Sequence, residues 1–209
     1  MHVGLIMDGN GRWATRKGFA RIEGHKSGVK VVEEIIRSCS QAGVETLTLY
    51  AFSTENWSRA KDEVKGLMDL FDYYISRNLT EMISNGIRIK FLGSKDGLPD
   101  KVVDLINNAA EKSAKNNKFF LNIAINYGGR DEMAGAVRKI AKNVKNGLID
   151  VDDIDEKIIT SMLDTSSQKD PDLIIRTAGE QRLSNFLSWQ SAYSEFYFSV
   201  LEWPEFNKT

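Results

Sequence analysis

The sequence predicts a single α/β domain, a parallel β-sheet with helices on both faces. Three observations carry this. Short apolar runs rich in β-branched and aromatic residues alternate with longer segments of helical period, and that alternation implies parallel strands joined by crossover helices. The 209 residues suit one core of ordinary size. No internal repeat, low-complexity segment or linker divides them.

Taken in order, Val3 to Met7 is the first strand, and Met7-Asp8-Gly9-Asn10-Gly11-Arg12-Trp13 is the turn leaving it. A polar stretch leads to a helix over Ser27–Ala42, where Val29, Val32, Ile35, Ile36 and Cys39 share one face and Gly43 is the stop. Thr46 to Phe52 is the second strand, and Ser53 to Arg59 a polar loop. A long helix spans Lys61–Ser84, with an apolar face of Val64, Leu67, Met68, Phe71, Ile75, Leu79 and Met82. Ile87 to Leu92 is the third strand, and Pro99 suits the first position of a helix continuing over Asp100–Lys115. The fourth strand, Phe119 to Tyr127, precedes Gly128-Gly129 and a helix over Asp131–Lys145. A short helix near Ile154 to Leu163 leads to a fifth strand, Asp172 to Arg176, and a sixth, Phe196 to Val200.

Composition excludes several classes. Hydrophobic residues at 42% and charged residues at 27% describe a globular chain, not a disordered one. A net charge of −1 gives no basic field for nucleic acid. Cys39 is the only cysteine, so neither an internal disulfide nor a cysteine zinc cluster can form, which fits a reducing, cytoplasmic compartment. No apolar run approaches the ~20 residues that span a bilayer, and no leader resembles a signal peptide. Met1 sits almost on the first strand, so an N-terminal extension is expected.

Open parallel sheets place ligands beyond the C-terminal ends of their strands. Three such ends are polar here. At the first, Gly9 and Gly11 allow close backbone approach, their N–H groups suit an anion, Arg12 suits phosphate, and Asp8 is a hard oxygen ligand suited to Mg²⁺. Arg21 and His25 follow closely. The second end carries Ser53, Thr54, Glu55, Asn56, Trp57 and Arg59. The fifth carries Arg176, then Arg182, Leu183 and Ser184, a second phosphate grip. Glu195, directly before the sixth strand, is a candidate second carboxylate. Two anion grips, two carboxylates and a long apolar helix suggest an apolar substrate with a diphosphate head, together with a second, smaller diphosphate. Taken singly, His25, Trp13, Trp57 and Glu195 also fit packing or surface roles, so co-location carries the reading. Gly24-His25-Lys26-Ser27 is not a Walker A loop, because the histidine interrupts it and no strand precedes it. Asp152-Asp153-Ile154-Asp155-Glu156 fits a solvated helix N-terminus.

The stretches HVGLIMDGNGRWA, GHKSGV, LTLYAFSTENWSR, LNIAINYGGRDE, DLIIRTAGEQRLSNFLSWQSAYSEFYF and WPEF, in that order, closely resemble the cis-prenyltransferases, and the bacterial undecaprenyl diphosphate synthases in particular. The resemblance runs through essentially the whole chain, residues 1–209. It implies a central, mostly parallel six-stranded sheet, a homodimer, Mg²⁺ dependence, and sequential cis-condensation of isopentenyl diphosphate onto farnesyl diphosphate. By position, it implies Asp8 as Mg²⁺ ligand and essential catalytic residue. Gly9, Asn10, Gly11, Arg12 and Arg21 resemble binders of the allylic diphosphate, with Trp13 and His25 alongside. Ser53, Thr54, Glu55, Trp57 and Arg59 match a substrate-contacting loop. Asn56 matches the residue often assigned as proton acceptor; a neutral amide is a very weak base, so orienting a diphosphate or relaying a proton is the expected role. Arg176, Arg182, Leu183 and Ser184 resemble the isopentenyl diphosphate site, and Glu195 a second Mg²⁺ ligand that in the family comes with dimer-interface neighbours.

The chain departs from the pattern at Ala178, where glycine is common, at Gln181, where histidine is frequent, and at Ala60, which replaces proline. It ends at Thr209, whereas the family continues to an Arg-x-Gly tail reaching the partner's active site, so a trimmed chain is expected. A lipid product implies work in the cytoplasm with peripheral contact at the inner face of the plasma membrane. The alternatives are a non-catalytic partner subunit, which would be expected to lose Asp8 and its neighbours, and a nucleotide-binding P-loop protein.

Overall fold

β1 (His2–Ile6) sits inside the sheet because its residues are buried on both faces. In the computed structural model, which describes residues 1–207, it pairs with β2 (Thr46–Ser53) on one side and β5 (Leu173–Arg176) on the other. β4 (Phe119–Tyr127) and β3 (Ile87–Leu92) extend the sheet beyond β2, and β6 (Glu195–Phe198) extends it beyond β5. The order is β3-β4-β2-β1-β5-β6 and every pairing is parallel. The chain leaves β1 toward β2 and later returns to β1's other side as β5. The crevice between the C-terminal ends of β1 and β5 is thus the topological switch point, where such sheets bind ligands.

The helices are α1 (Asn10–Arg16), α2 (Arg21–Gln41), α3 (Lys61–Ser84), α4 (Asp100–Ser113), α5 (Gly129–Lys145) and α6 (Glu156–Ser161). One sheet face carries Val3, Leu5, Leu47, Leu49, Ile89, Leu121 and Ile123. It packs under Val32, Ile35 and Ile36 of α2 and Tyr74, Ile75, Leu79 and Met82 of α3. The opposite face has a smaller apolar centre of Ile6, Ala124, Ile174, Phe186 and Leu187. Glu132 ties α5 to that side, accepting from the Tyr127 hydroxyl (2.6 Å), Gln190 Nε2 (3.0 Å) and the Asp164 amide (2.8 Å). The outer edge of β3 is covered by side chains: Ser113 Oγ accepts from the Ile89 amide, and Asn116 donates to the Ile87 carbonyl.

Several elements differ from expectation. The polar stretch after the first strand is a helix, α1, and α2 begins at Arg21 instead of Ser27. Gly24 and Gly28 weaken the helical pattern of the sequence, but each is a contact. A Cβ on Gly24 would lie 1.9 Å from the Asn10 carbonyl oxygen, and one on Gly28 2.2 Å from Asn10 Oδ1. Close helix packing against α1, not flexibility, explains both. The Ser53–Arg59 loop is largely a 3₁₀ turn over Thr54–Ser58. Pro99 caps α4 instead of opening it. The aspartate-rich segment supplies caps: Asp150 accepts from the Asp152 amide, and Asp155 accepts from the Ile158 amide to start α6.

Candidate active site

Asp8 stands at the switch point. Its amide donates to Thr177 Oγ1 (2.9 Å), and its carbonyl accepts from that hydroxyl (2.7 Å) and from the Trp203 amide (2.9 Å). Trp203 is buried and its indole donates to the Gly28 carbonyl, which locks the turn to α2. The Asp8 carboxylate accepts from Arg176 Nη2 through Oδ2 (2.9 Å) and from the Gly9 amide through Oδ1 (2.6 Å), with Arg12 Nη2 3.2 Å from Oδ1. Burial alone pushes this carboxyl up. The Arg176 hydrogen bond, the Arg12 charge and the Gly9 N–H outweigh it, so Asp8 titrates below the ordinary carboxylate value and is ionised.

Gly9 is needed here for two reasons. Its φ is +100°, and a Cβ would lie 2.9 Å from the Cβ atoms of Ala178 and Glu202. Ala178 itself holds φ +69°, which costs an L-residue about 1 kcal/mol or more. This is the physical reason glycine suits the position. Ala178→Gly is expected to stabilise the protein by about 1 kcal/mol, read as a Tm a few degrees higher with turnover retained.

Arg176 is only 4% exposed and joins the two grips. Nη2 binds Asp8, while Nη1 donates to the Arg182 carbonyl (2.5 Å) and Ser184 Oγ (2.6 Å). The guanidinium is therefore held in one plane by three acceptors. Glu180, at the same strand end, pairs not with Arg176 but with two other arginines, bridging the clusters from outside: Oε1 accepts from Arg12 (3.1 Å) and Oε2 pairs with Arg182.

The second strand end closes the opposite rim. Asn56 Oδ1 accepts from the Ser53 amide (3.1 Å) in a capping box. That bond fastens the side chain to the turn and fixes its orientation toward the cavity mouth. Trp57 donates to Asn126 Oδ1 (2.7 Å) and packs edge-on against Phe52, which fastens the turn. Asn185, also missed, donates to Glu55 Oε1 (2.9 Å), and its backbone carbonyl accepts from the Gly129 amide. Sequence carried a signal for it in the run Leu183-Ser184-Asn185, where Ser184 and Asn185 both take positive φ.

Arg21 lies over the start of α1, so a Cβ on Gly11 would meet its guanidinium at 2.6 Å. Glu63 pairs with Arg59 (2.9 Å) and Arg21 (3.5 Å), and His25 is packed among these three. Burial first, then the charges of Arg59 and Arg21, push the His25 pKa down to about 4 against the attraction of Glu63. The histidine is thus neutral near pH 7. Unfolding restores a pKa near 6.5, so the unfolded chain binds the extra proton and stability falls as pH drops from 6.5 toward 4. A loss of about 3 kcal/mol by pH 4 is expected from this group, and His25→Gln should flatten that part of a pH-dependent denaturation series.

Between these rims a cavity of about 620 Å³ runs down between the sheet, α2 and α3. Its mouth is polar, with Asp8, Asn10, His25, Ser53, Glu55, Asn56, Arg59, Arg176 and Ser184. Its depth is apolar, with Val32, Leu49, Leu67, Met68, Phe71, Tyr74, Ile75 and Ile123, and Ala51 is on its wall. Ala51 reaches the cavity at an irregularity in the pairing of β2 with β4. Gly9, Gly11, Arg12, Arg21 and Arg182 surround the mouth through the contacts above. Trp13, Thr54, Trp57 and Leu183 do not line the cavity: Trp13 packs with Phe19 and Lys17, Thr54 abuts Gly128, and Leu183 packs on the smaller apolar centre.

Glu195 stands apart from Asp8 within one chain. It pairs with Leu173 at the N-terminal end of β5, whereas Asp8 lies beyond Ile6, which is level with Arg176 and Phe198. Three residues of strand, about 10 Å, separate Glu195 from that level, and it is exposed. One chain does not bring it to Asp8. Among the described residues no group of three or more His, Cys, Asp or Glu side chains could hold a metal. The Asp8 carboxylate beside the arginine clusters of Arg12 and Arg176 fits Mg²⁺, which is commonly held by one or two carboxylates together with substrate phosphates. Among the described residues, no helix is long and apolar enough to cross a membrane.

Comparison with known proteins agrees with this architecture. The family model described as "Putative undecaprenyl diphosphate synthase" matches residues 6–209. The isoprenyl transferase of Clostridium perfringens is 47% identical over 99% of this chain and 81% of its own length, and that of Bacillus subtilis 44% identical over 99% and 80%. The crystal structure of lavandulyl diphosphate synthase from Lavandula x intermedia, in complex with dimethylallyl diphosphate, superposes with a TM-score of 0.96 at 39% identity, covering 99% of this chain and 89% of that one. A "probable undecaprenyl diphosphate synthase" from Campylobacter jejuni superposes with a TM-score of 0.81 at 32% identity, covering 99% and 88%. The parallel sheet, the two arginine-lined strand ends meeting at Asp8 and these matches have one explanation: the chain belongs to the undecaprenyl diphosphate synthase family of cis-prenyltransferases.

Proposed function

We propose that this chain condenses isopentenyl diphosphate in cis onto farnesyl diphosphate, repeatedly, to give a long-chain polyprenyl diphosphate of the undecaprenyl type. The observation that carries the reading is two arginine-based grips meeting at one carboxylate above an apolar cavity. Benzene fills a cavity of about 150 Å³, or roughly 25 Å³ per heavy atom, so this cavity holds about 25 heavy atoms, the size of farnesyl diphosphate.

In this reading the allylic diphosphate occupies the Gly9–Arg12 turn with Arg21, and isopentenyl diphosphate the Arg176–Arg182–Ser184 grip. Asp8 would hold Mg²⁺ jointly with a substrate diphosphate, and the ion would neutralise charge gathering on the leaving group. Arg12, Arg21 and the turn amides stabilise that same charge as the allylic C–O bond ionises. The second grip and Asn56 aim the homoallylic double bond at the allylic carbon. Proton loss then completes the new double bond, with a phosphate oxygen as acceptor. The prenyl tail lies in the cavity, where each buried methylene contributes about 0.8 kcal/mol. Ala51→Leu narrows the wall and is expected to shorten the product, checked by chain-length analysis; unchanged length would remove Ala51 from the wall's function.

Tyr193, Phe196, Tyr197, Val200 and Leu201 are exposed apolar residues on and beside the edge strand β6, and Glu195 is exposed among them. A second copy of this chain is the proposed partner there, giving a homodimer. The lipid product supports cytoplasmic work with peripheral contact at the plasma membrane.

Incubation with farnesyl diphosphate, labelled isopentenyl diphosphate and Mg²⁺ tests the function. Long, labelled polyprenyl diphosphates are expected, and no condensation would overturn it. The TM-score of 0.96 with a synthase bound to dimethylallyl diphosphate favours a second reading, a short-chain synthase using that substrate. Turnover of dimethylallyl diphosphate with none of farnesyl diphosphate would select it.

A further inference from the structure

The opposite end of the sheet carries a second cavity, of about 760 Å³, that the proposed chemistry leaves unused. Five cations line it: Arg88 and Lys90 of β3, Lys95, Lys118 and Lys169. Among its lining residues Glu45 is the one carboxylate. Among the described residues none of the five forms an ion pair. Yet the chain as a whole is balanced, with 28 basic and 29 acidic residues. Five cations against one lining carboxylate, with Asp164 and Glu132 acting on Lys90 from nearby, leave a net positive local field that an anion would relieve.

The cluster is built into the fold. Arg88 and Lys90 are two residues apart on β3 and so share a sheet face. Lys90 is half-buried, and its ammonium meets only Ser167 Oγ at 3.4 Å. Burial, eased by Asp164 and aggravated by Arg88, pushes its pKa down. On the same face a buried polar network takes the place of apolar core. His2 Nε2 meets Thr48 Oγ1 (2.7 Å), Asn122 Nδ2 donates to Thr48 (2.9 Å), and Asn122 and Gln168 exchange bonds at 2.6 and 3.0 Å. His2 Nδ1 meets the Lys169 carbonyl (2.8 Å), which fixes the segment carrying Lys169. This network fixes His2, Gln168 and the backbone of Lys169, which line the cavity beside the half-buried Lys90.

We propose that this cavity binds a phosphate-bearing polyanion, either a free oligophosphate or the headgroup of an anionic phospholipid, at a site separate from the catalytic mouth. Phosphate suits the donors: Arg88 offers a planar fork, and the lysines are point charges for a ligand of several negative charges.

The test uses the full chain and the double variant Arg88→Ser/Lys90→Gln, with Lys118→Gln/Lys169→Gln as an independent second. Lys30→Gln/Lys142→Gln, exposed on other helices, controls for total charge. Binding of inorganic tripolyphosphate is measured by calorimetry, and binding to vesicles with and without phosphatidylglycerol by sedimentation. Prenyl-transfer turnover, expected unchanged, shows each variant folded. A second tripolyphosphate site weakened about ten-fold or more in both cavity variants, but not in the control, establishes a free oligophosphate ligand. The same loss confined to phosphatidylglycerol vesicles establishes a lipid headgroup. Equal binding by wild type, cavity variants and control in both arms overturns the proposal.

Discussion

Asp8→Asn is expected to lower turnover by about a thousand-fold while the protein stays folded. The amide keeps the shape of the carboxylate, so the Thr177 and Trp203 contacts to the Asp8 backbone survive. What is lost is the negative charge, and with it a hard ligand for Mg²⁺. Single-turnover incorporation of labelled isopentenyl diphosphate across a Mg²⁺ titration is the measurement. A variant that recovered full rate at high Mg²⁺ would have lost only affinity, and one with near wild-type turnover throughout would remove Asp8 from the chemistry. The substitution also alters acid stability. The folded Asp8 carboxyl titrates below its ordinary 3.8, so its contribution to stability is complete above that value and is lost as pH falls below it. Asp8→Asn should show less of that acid-side loss in a denaturation series.

The sheet and the meeting of its polar strand ends at one cavity were legible in the sequence because their signals are local. Strand runs such as Thr46–Phe52 and Phe119–Tyr127 are rich in β-branched and aromatic residues, and the structure keeps them within a residue. The polar strand ends were legible because parallel topology forces them to one edge. The misses came from long-range packing. α1 was hidden because Gly9 and Gly11 read as a turn, while the φ of +100° at Gly9 serves to launch a helix. The first turn and a half of α2, residues 21–26, was outside the expected helix, and the close approach of Asn10 and Trp203 to Gly24 and Gly28 appears only in the packed structure. Glu195 was assigned by position in a motif, and strand register places it at the wrong end of β6 for a single chain. Glu180 and Asn185 are exposed or half-exposed polar residues whose partners, Arg12 and Glu55, are distant in sequence.

Arg176→Ala should be the most damaging single change, because in the proposed reaction one side chain there serves both stability and substrate. The guanidinium is 4% exposed and satisfies Asp8, the Arg182 carbonyl and Ser184 together. Truncation leaves a half-buried carboxylate without its principal donor and a carbonyl without its partner, a loss of about 2–4 kcal/mol. Turnover should fall about a thousand-fold or more, as for loss of a preorganised donor at the reacting centre. Arg176→Lys separates the two contributions. A lysine keeps the positive charge near Asp8 but cannot span three acceptors in a plane. It is expected to recover much of the stability in urea denaturation while turnover stays at least about a hundred-fold down, with KM for isopentenyl diphosphate raised more than KM for the allylic substrate. Equal rises in both KM values would mean that Arg176 supports the site as a whole and does not grip one substrate. Full recovery of turnover by lysine would mean that charge alone, and not the fork, is what the switch point between β1 and β5 requires.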